Sequence, residues 1–119
     1  MKKVLFGAVI FVLLASFATA GDKKPIKPTG NDKCPVCGML VEHFPKFLAQ
    51  IIFTDGTYAM FEGPKDMFKY YLDMKKYNPS KKPSDIDSVY VTDYSSLKPI
   101  DGLKAFYVVG SNVDGPMGR

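Results

Sequence analysis

The 119-residue chain has no tryptophan, one histidine (His43) and two cysteines (Cys34 and Cys37). Nothing in it forms a nucleophile–base–orienter set, and so few nucleophiles and bases disfavour most hydrolytic constellations. No glycine-rich phosphate cradle is present. A closed structural zinc site wants four nitrogen or sulfur ligands; Cys34, Cys37 and His43 supply three, so an Asp or Glu would have to complete it. A strong excess of one charge is missing too. The net charge is +4, and half of it comes from Lys2 and Lys3; the remaining 14 basic and 12 acidic side chains leave +2. Without a basic stripe, nucleic acid is not the expected partner.

Long hydrophobic runs are also lacking, with one exception. Val4 to Phe17 is almost wholly apolar. As a helix it would span about 21 Å, short of the roughly 30 Å hydrocarbon core. It follows Met1-Lys2-Lys3 and precedes Ala18-Thr19-Ala20, a small-x-small cleavage pattern. Residues 1–20 therefore read as a secretory signal peptide, and the protein as exported and at most peripheral to a membrane. The 99 residues that follow are enough for one modest core. They cannot house a large cofactor fold or a two-domain cleft.

Residues 21–33 (GDKKPIKPTGNDK) are polar and without period, and read as a flexible linker. The folded domain is expected over 34–119. Phe47 to Phe53 and Thr57 to Phe61 are strand-like runs around Asp55-Gly56, which predicts a β-hairpin. Pro64 fits the first position of a helix that Asn78-Pro79 stops. Its predicted apolar face is Met67, Phe68, Tyr71, Leu72 and the stem of Lys75. Ser88 to Thr92 and Ala105 to Val109 read as two further strands, with a loop over Asp93 to Gly102 and a glycine-rich end. The order ββαββ predicts a small α+β domain, one antiparallel sheet of about four strands with a helix on one face.

The densest chemical signal is Cys34-Pro35-Val36-Cys37-Gly38-Met39. Two thiols and a thioether are soft donors, which select Cu(I) over hard cations. His43 adds a nitrogen donor four residues on. Met117, between Gly115-Pro116 and Gly118, lies in a loop with no evident core role. The candidate metal ligands are Cys37, Met39, Met117, Cys34 and His43. The same residues leave two other readings open. One is a CxxC thiol–disulfide redox protein. The other is a metal-free adaptor that docks through exposed aromatics such as Phe44 and Phe47. Asp55 and Asp93 read as turn residues.

CPVCGMLVEHFPK, a hairpin containing Asp-Gly, VYVTDY and AFYVVGSNVDGPMG form an ordered set over Cys34 to Gly118 that resembles the NosL family. The resemblance implies an exported Cu(I)-binding chaperone, not an enzyme, with a fold of ββα units. It would serve the maturation of nitrous oxide reductase in the periplasm of denitrifying bacteria. Its implied partners are the apo-reductase and a membrane ABC-type maturation complex. The family's CGM falls on Cys37, Gly38 and Met39, its following histidine on His43 and its G-x-M-G methionine on Met117. Cys34 matches members with CxxCGM. Many members are lipoproteins with a cysteine at the cleavage site; here Gly21 follows Ala20, which implies a form without a lipid anchor. Members usually continue after G-x-M-G into a further helix and strands, whereas this sequence ends at Arg119.

Overall fold

Asp55-Gly56 sets the hairpin around which the domain is built. The amide of Gly56 donates to the Phe53 carbonyl at 2.9 Å, and that of Phe53 to the Thr57 carbonyl at 2.8 Å. Gly56 has φ +86°, the left-handed conformation that ends a three-residue hairpin loop and favours glycine. The Asp55 carboxylate accepts from the amide and hydroxyl of Thr57 at 2.9 and 2.6 Å, closing the turn from inside.

The computed structural model describes Gly21 and residues 23–118; the signal peptide read at 1–20 lies outside the described residues. Strands β1 (Ala49–Phe53) and β2 (Tyr58–Phe61) form the hairpin. Helices α1 (Pro64–Leu72) and α2 (Met74–Tyr77) follow, then β3 (Ile86–Thr92) and β4 (Pro99–Asp101). The strands make one antiparallel sheet in the order β2-β1-β3-β4. This is the expected α+β architecture.

Ala49, Ile51 and Phe53 alternate along β1, and the register sets Phe61, Ala59, Val91 and Val89 beside the first two on the same face. Met67, Tyr70 and Met74 are buried with them in one apolar cluster. Tyr70 meets Phe61 edge to face, with ring centroids 5.2 Å apart.

Three expectations differ from this arrangement. The buried residues of α1 are Asp66, Met67 and Tyr70, and α2 adds Met74. That stripe has the predicted spacing but is rotated by one residue, so Phe68, Tyr71 and Leu72 are exposed. A charged residue heads the true stripe, and the more apolar neighbouring one masked it.

The fourth strand is Pro99–Asp101 and not 105–109. In the segment 105–109, read as a strand, Ala105 and Tyr107 pack against the core, but Phe106, Val108 and Val109 are exposed. A strand needs a backbone partner as well as alternation. The edge of β3 is already taken by β4, through Tyr90↔Asp101 and Val91↔Ile100. Pro99, which has no N–H to donate, starts an edge strand, where that omission costs least.

The segment 21–33, read as a linker, lies along the sheet face opposite α1 at several points. Gln50 receives the Ile26 amide at 2.8 Å and returns a bond to the Ile26 carbonyl at 3.1 Å. The Tyr90 hydroxyl donates to the Lys23 carbonyl at 2.6 Å, and the Lys23 amide to Asp87 at 3.0 Å. Gln50, Tyr90 and Ser88 give that face polar groups, and the segment's main chain supplies partners for two of them. Among the described residues no helix is long and apolar enough to cross a membrane.

Candidate metal centre

The CxxCG sequence folds into a small closed loop. An antiparallel bridge joins Lys33 to Leu40 at its base. Within it the Cys34 amide donates to the Met39 carbonyl at 2.9 Å, and the Gly38 amide to the Cys34 carbonyl at 2.8 Å. Gly38 has φ +80°, so the reversal after Cys37 needs glycine. Cys34 is buried, Cys37 is half-buried, and neither forms a disulfide.

A second segment meets this loop. β2 ends at Phe61, Glu62 and Gly63 follow, and Pro64 opens α1. The turn from strand to helix carries Glu62 and Asp66 to the same spot, four residues apart. Glu62 is 1% exposed and Asp66 0%. One sulfur each from Cys34 and Cys37 and one carboxylate oxygen each from Glu62 and Asp66 all lie within 4.8 Å of one another. The Cys34 thiol donates to Asp66 Oδ2 at 3.6 Å.

The electrostatics follow from burial. Desolvation, with a hydrogen bond to Glu62, pushes the Cys34 thiol far above its ordinary range. Desolvation also raises Cys37, against an opposing backbone hydrogen bond from Met39. Burial works to raise Asp66 as well, but hydrogen bonds from Glu62 and Cys37 and the Lys69 ammonium outweigh it, so its carboxyl lies below the usual range. Lys69 Nζ stands 3.6 Å from Asp66 Oδ1. The centre is thus two neutral thiols against buried carboxyl groups. A cation entering it would displace protons and take sulfur and oxygen donors together.

The expected ligands separate into three groups. Cys34 and Cys37 are in the cluster. Met39 is half-buried on the return arm of the same loop. Met117 is 39% exposed, in a turn closed by hydrogen bonds between Gly115 and Gly118. That turn lies at the β2–α1 junction: Lys65 Nζ donates to the Met117 carbonyl at 3.5 Å, and Pro116 packs by Gly63. His43 stands apart. It is exposed in a one-turn 3₁₀ helix (Val41–His43), with Glu42 3.9 Å away.

Glu62 and Asp66 were not among the expected ligands. In the sequence Asp66 suits the dipole of the helix's first turn, and Glu62 stands with Gly63-Pro64 where the strand period gives way to the helical one. One signal was available: Asp66 shares the i, i+4, i+8 row with Tyr70 and Met74, and an acid at the head of a buried row calls for a partner.

A family model described as NosL matches residues 25–119. The copper-binding lipoprotein NosL of Stutzerimonas stutzeri is 28% identical over 134 residues, covering 99% of this chain and 67% of that protein. No solved structure matches the chain. With the family model covering the folded domain from the docked segment to the Met117 turn, the chain belongs to the NosL family.

Proposed function

We propose that this protein is an exported copper-binding chaperone that holds Cu(I) and passes it on for the maturation of nitrous oxide reductase. One observation carries the reading: in a NosL chain, Cys34 and Cys37 stand together with Glu62 and Asp66 within 4.8 Å. Thiolates are the donors Cu(I) prefers. The name of the Stutzerimonas relative, a copper-binding lipoprotein, supports both copper as the cargo and work outside the cytoplasm. Transfer asks for a site that a partner's ligand can enter. Cys37 is half-buried while Cys34 is enclosed, and Met117 sits on an exposed turn beside the site's helix. Cys37 with Met39 and Met117 would offer the outward donors, and Cys34 the inner anchor.

Two other readings fit less well. A redox CxxC works through a thiolate at low pKa, whereas burial raises both thiols here. A metal-free adaptor would display Phe44 and Phe47. Both are half-buried, and Phe47 packs on Tyr94 with centroids 5.9 Å apart.

An anaerobic Cu(I) titration of the reduced protein against a chromophoric chelator tests the proposal. One tightly held ion is expected, lost in Cys37→Ser and weakened roughly tenfold in Met117→Ala, the scale of losing one supporting donor. Absence of Cu(I) binding by the wild type would end the copper reading. Delivery is tested separately, by copper loading of apo-reductase in the presence of the membrane complex.

A further inference from the structure

Cu(I) leaves half of this centre unexplained. It is satisfied by two or three soft donors and gains little from carboxylates. Yet two acids are buried beside the thiols, and among the described residues Glu62 Oε2 and Asp66 Oδ1 have no hydrogen-bond partner. Among the described residues the ion pair made by these acids is that of Asp66 with Lys69, whose side chain is half exposed. Acids enclosed in this way are costly to a fold unless something cationic meets them. A glutamine at 62 and an asparagine at 66 would fill the same space without that cost.

We infer that Glu62 and Asp66 make this centre a site for a borderline divalent cation of the Zn(II) class, held by two sulfurs and two oxygens, as a binding mode distinct from Cu(I). Zn(II) accepts thiolate and carboxylate donors in one tetrahedron. With Zn–S about 2.3 Å and Zn–O about 2.0 Å, the edges of such a site are roughly 3.3–3.8 Å. The four donors already lie within 4.8 Å of one another, so the inward movement needed is about an ångström on those bond lengths. Charge agrees. Two thiolates and two carboxylates carry −4; a divalent ion halves this, and Lys69 at the rim offsets part of the remainder. The donors come from two segments, the CxxCG loop and the β2–α1 junction, so this mode ties them together. A Cu(I) held by sulfurs alone, those of the loop with Met117 from the neighbouring turn, engages neither Glu62 nor Asp66. The inference shares with the copper proposal the reading of Cys34 and Cys37 as ligands, but not the identity of the metal.

The test is an anaerobic titration of the reduced protein with Co(II) as a spectroscopic probe, followed by displacement with Zn(II), beside the Cu(I) titration. One equivalent of Co(II) should bind with the visible bands of a four-coordinate ion and thiolate charge-transfer absorption, and Zn(II) should abolish both. Glu62→Gln and Asp66→Asn should each lower Co(II) and Zn(II) affinity by at least the roughly 10- to 100-fold that losing a ligand's supporting partner costs, while Cu(I) affinity moves less than about threefold. Cys37→Ser should lose all three ions. Zinc-edge absorption of the wild-type protein, which needs no variant to fold, should show two sulfur and two oxygen neighbours. A wild type that binds Cu(I) but neither Co(II) nor Zn(II) would overturn the inference and leave the copper reading standing. Binding of Co(II) without Cu(I) would do the reverse. Equal losses for all three ions in Glu62→Gln, or a zinc shell without two protein oxygens, would also overturn it.

Discussion

Gln50 grips Ile26 with both ends of its carboxamide, accepting from the amide at 2.8 Å and donating to the carbonyl at 3.1 Å. A buried glutamine in the central hairpin thereby acts as a strand edge for a segment 24 residues away in sequence. This contact fixes where the chain approaches the CxxCG loop, because only seven residues separate Ile26 from Cys34.

Gln50→Leu removes both bonds and leaves the Ile26 groups without their partner. Two net hydrogen bonds at about 1 kcal/mol each, partly offset by the apolar replacement, give an expected loss of about 1–2 kcal/mol. Urea unfolding reads the loss, and amide exchange at Ile26 should accelerate. An unchanged midpoint with unprotected Ile26 in the wild type would mean that the segment is a free linker after all.

The two faces of α1 should respond very differently to truncation. Tyr70 is 1% exposed, edge to face with Phe61 and stacked on Tyr77. Its replacement by alanine should cost about 3–5 kcal/mol. Leu72 is 80% exposed, and Leu72→Ala should stay within about 0.5 kcal/mol. Thermal or urea melts of the two variants decide which stripe faces the core, and similar costs at both positions would contradict the rotated helix.

His43→Ala should leave Cu(I) affinity within about twofold, since His43 faces solvent beside Glu42 and its nitrogens are not in the donor cluster. A metal site loses roughly tenfold or more when a ligand or its direct support is removed. A loss of that size in the competition titration would require the 3₁₀ turn to swing inward on loading.

Metal loading should raise stability by mass action. At a free ion concentration 100 times the dissociation constant the gain is about 2.7 kcal/mol, provided the unfolded chain binds weakly. Calorimetry with and without a chelator measures it. A loaded protein that melts at the temperature of the metal-free one would place the ion on a segment that does not report on folding.

Acid should weaken the hairpin through Asp55. The Lys81 ammonium beside it, helped by hydrogen bonds from Thr57, holds its carboxyl well below the usual range. A depressed acid supports the fold while ionised in both states, above the unfolded value of about 3.9. That support fades as pH falls toward the lower folded value. Asp55→Asn keeps the turn and removes the charge. Urea midpoints of wild type and variant should therefore converge as pH is lowered from about 5 to 2. Midpoints that stay parallel would show that Lys81 contributes nothing there.

Local patterns sufficed for much of this protein. The hairpin follows from two β-rich runs around Asp55-Gly56, the helix start from Pro64, and the CxxCG loop from two thiols and a glycine. All of these are decided within a few residues by backbone sterics and soft-donor chemistry. The fold class follows from their order. What the tertiary structure alone decided is where those pieces meet. Residues 105–109 have a strand-like composition, but strand pairing is a two-partner event, and residues 99–101 occupy the edge. The linker composition of 21–33 says nothing of Gln50 waiting across the sheet. Glu62 and Asp66 each look like an ordinary end-of-element acid until the β2–α1 turn brings them against Cys34 and Cys37. Burial and the meeting of distant segments depend on packing, which no window of neighbouring residues contains.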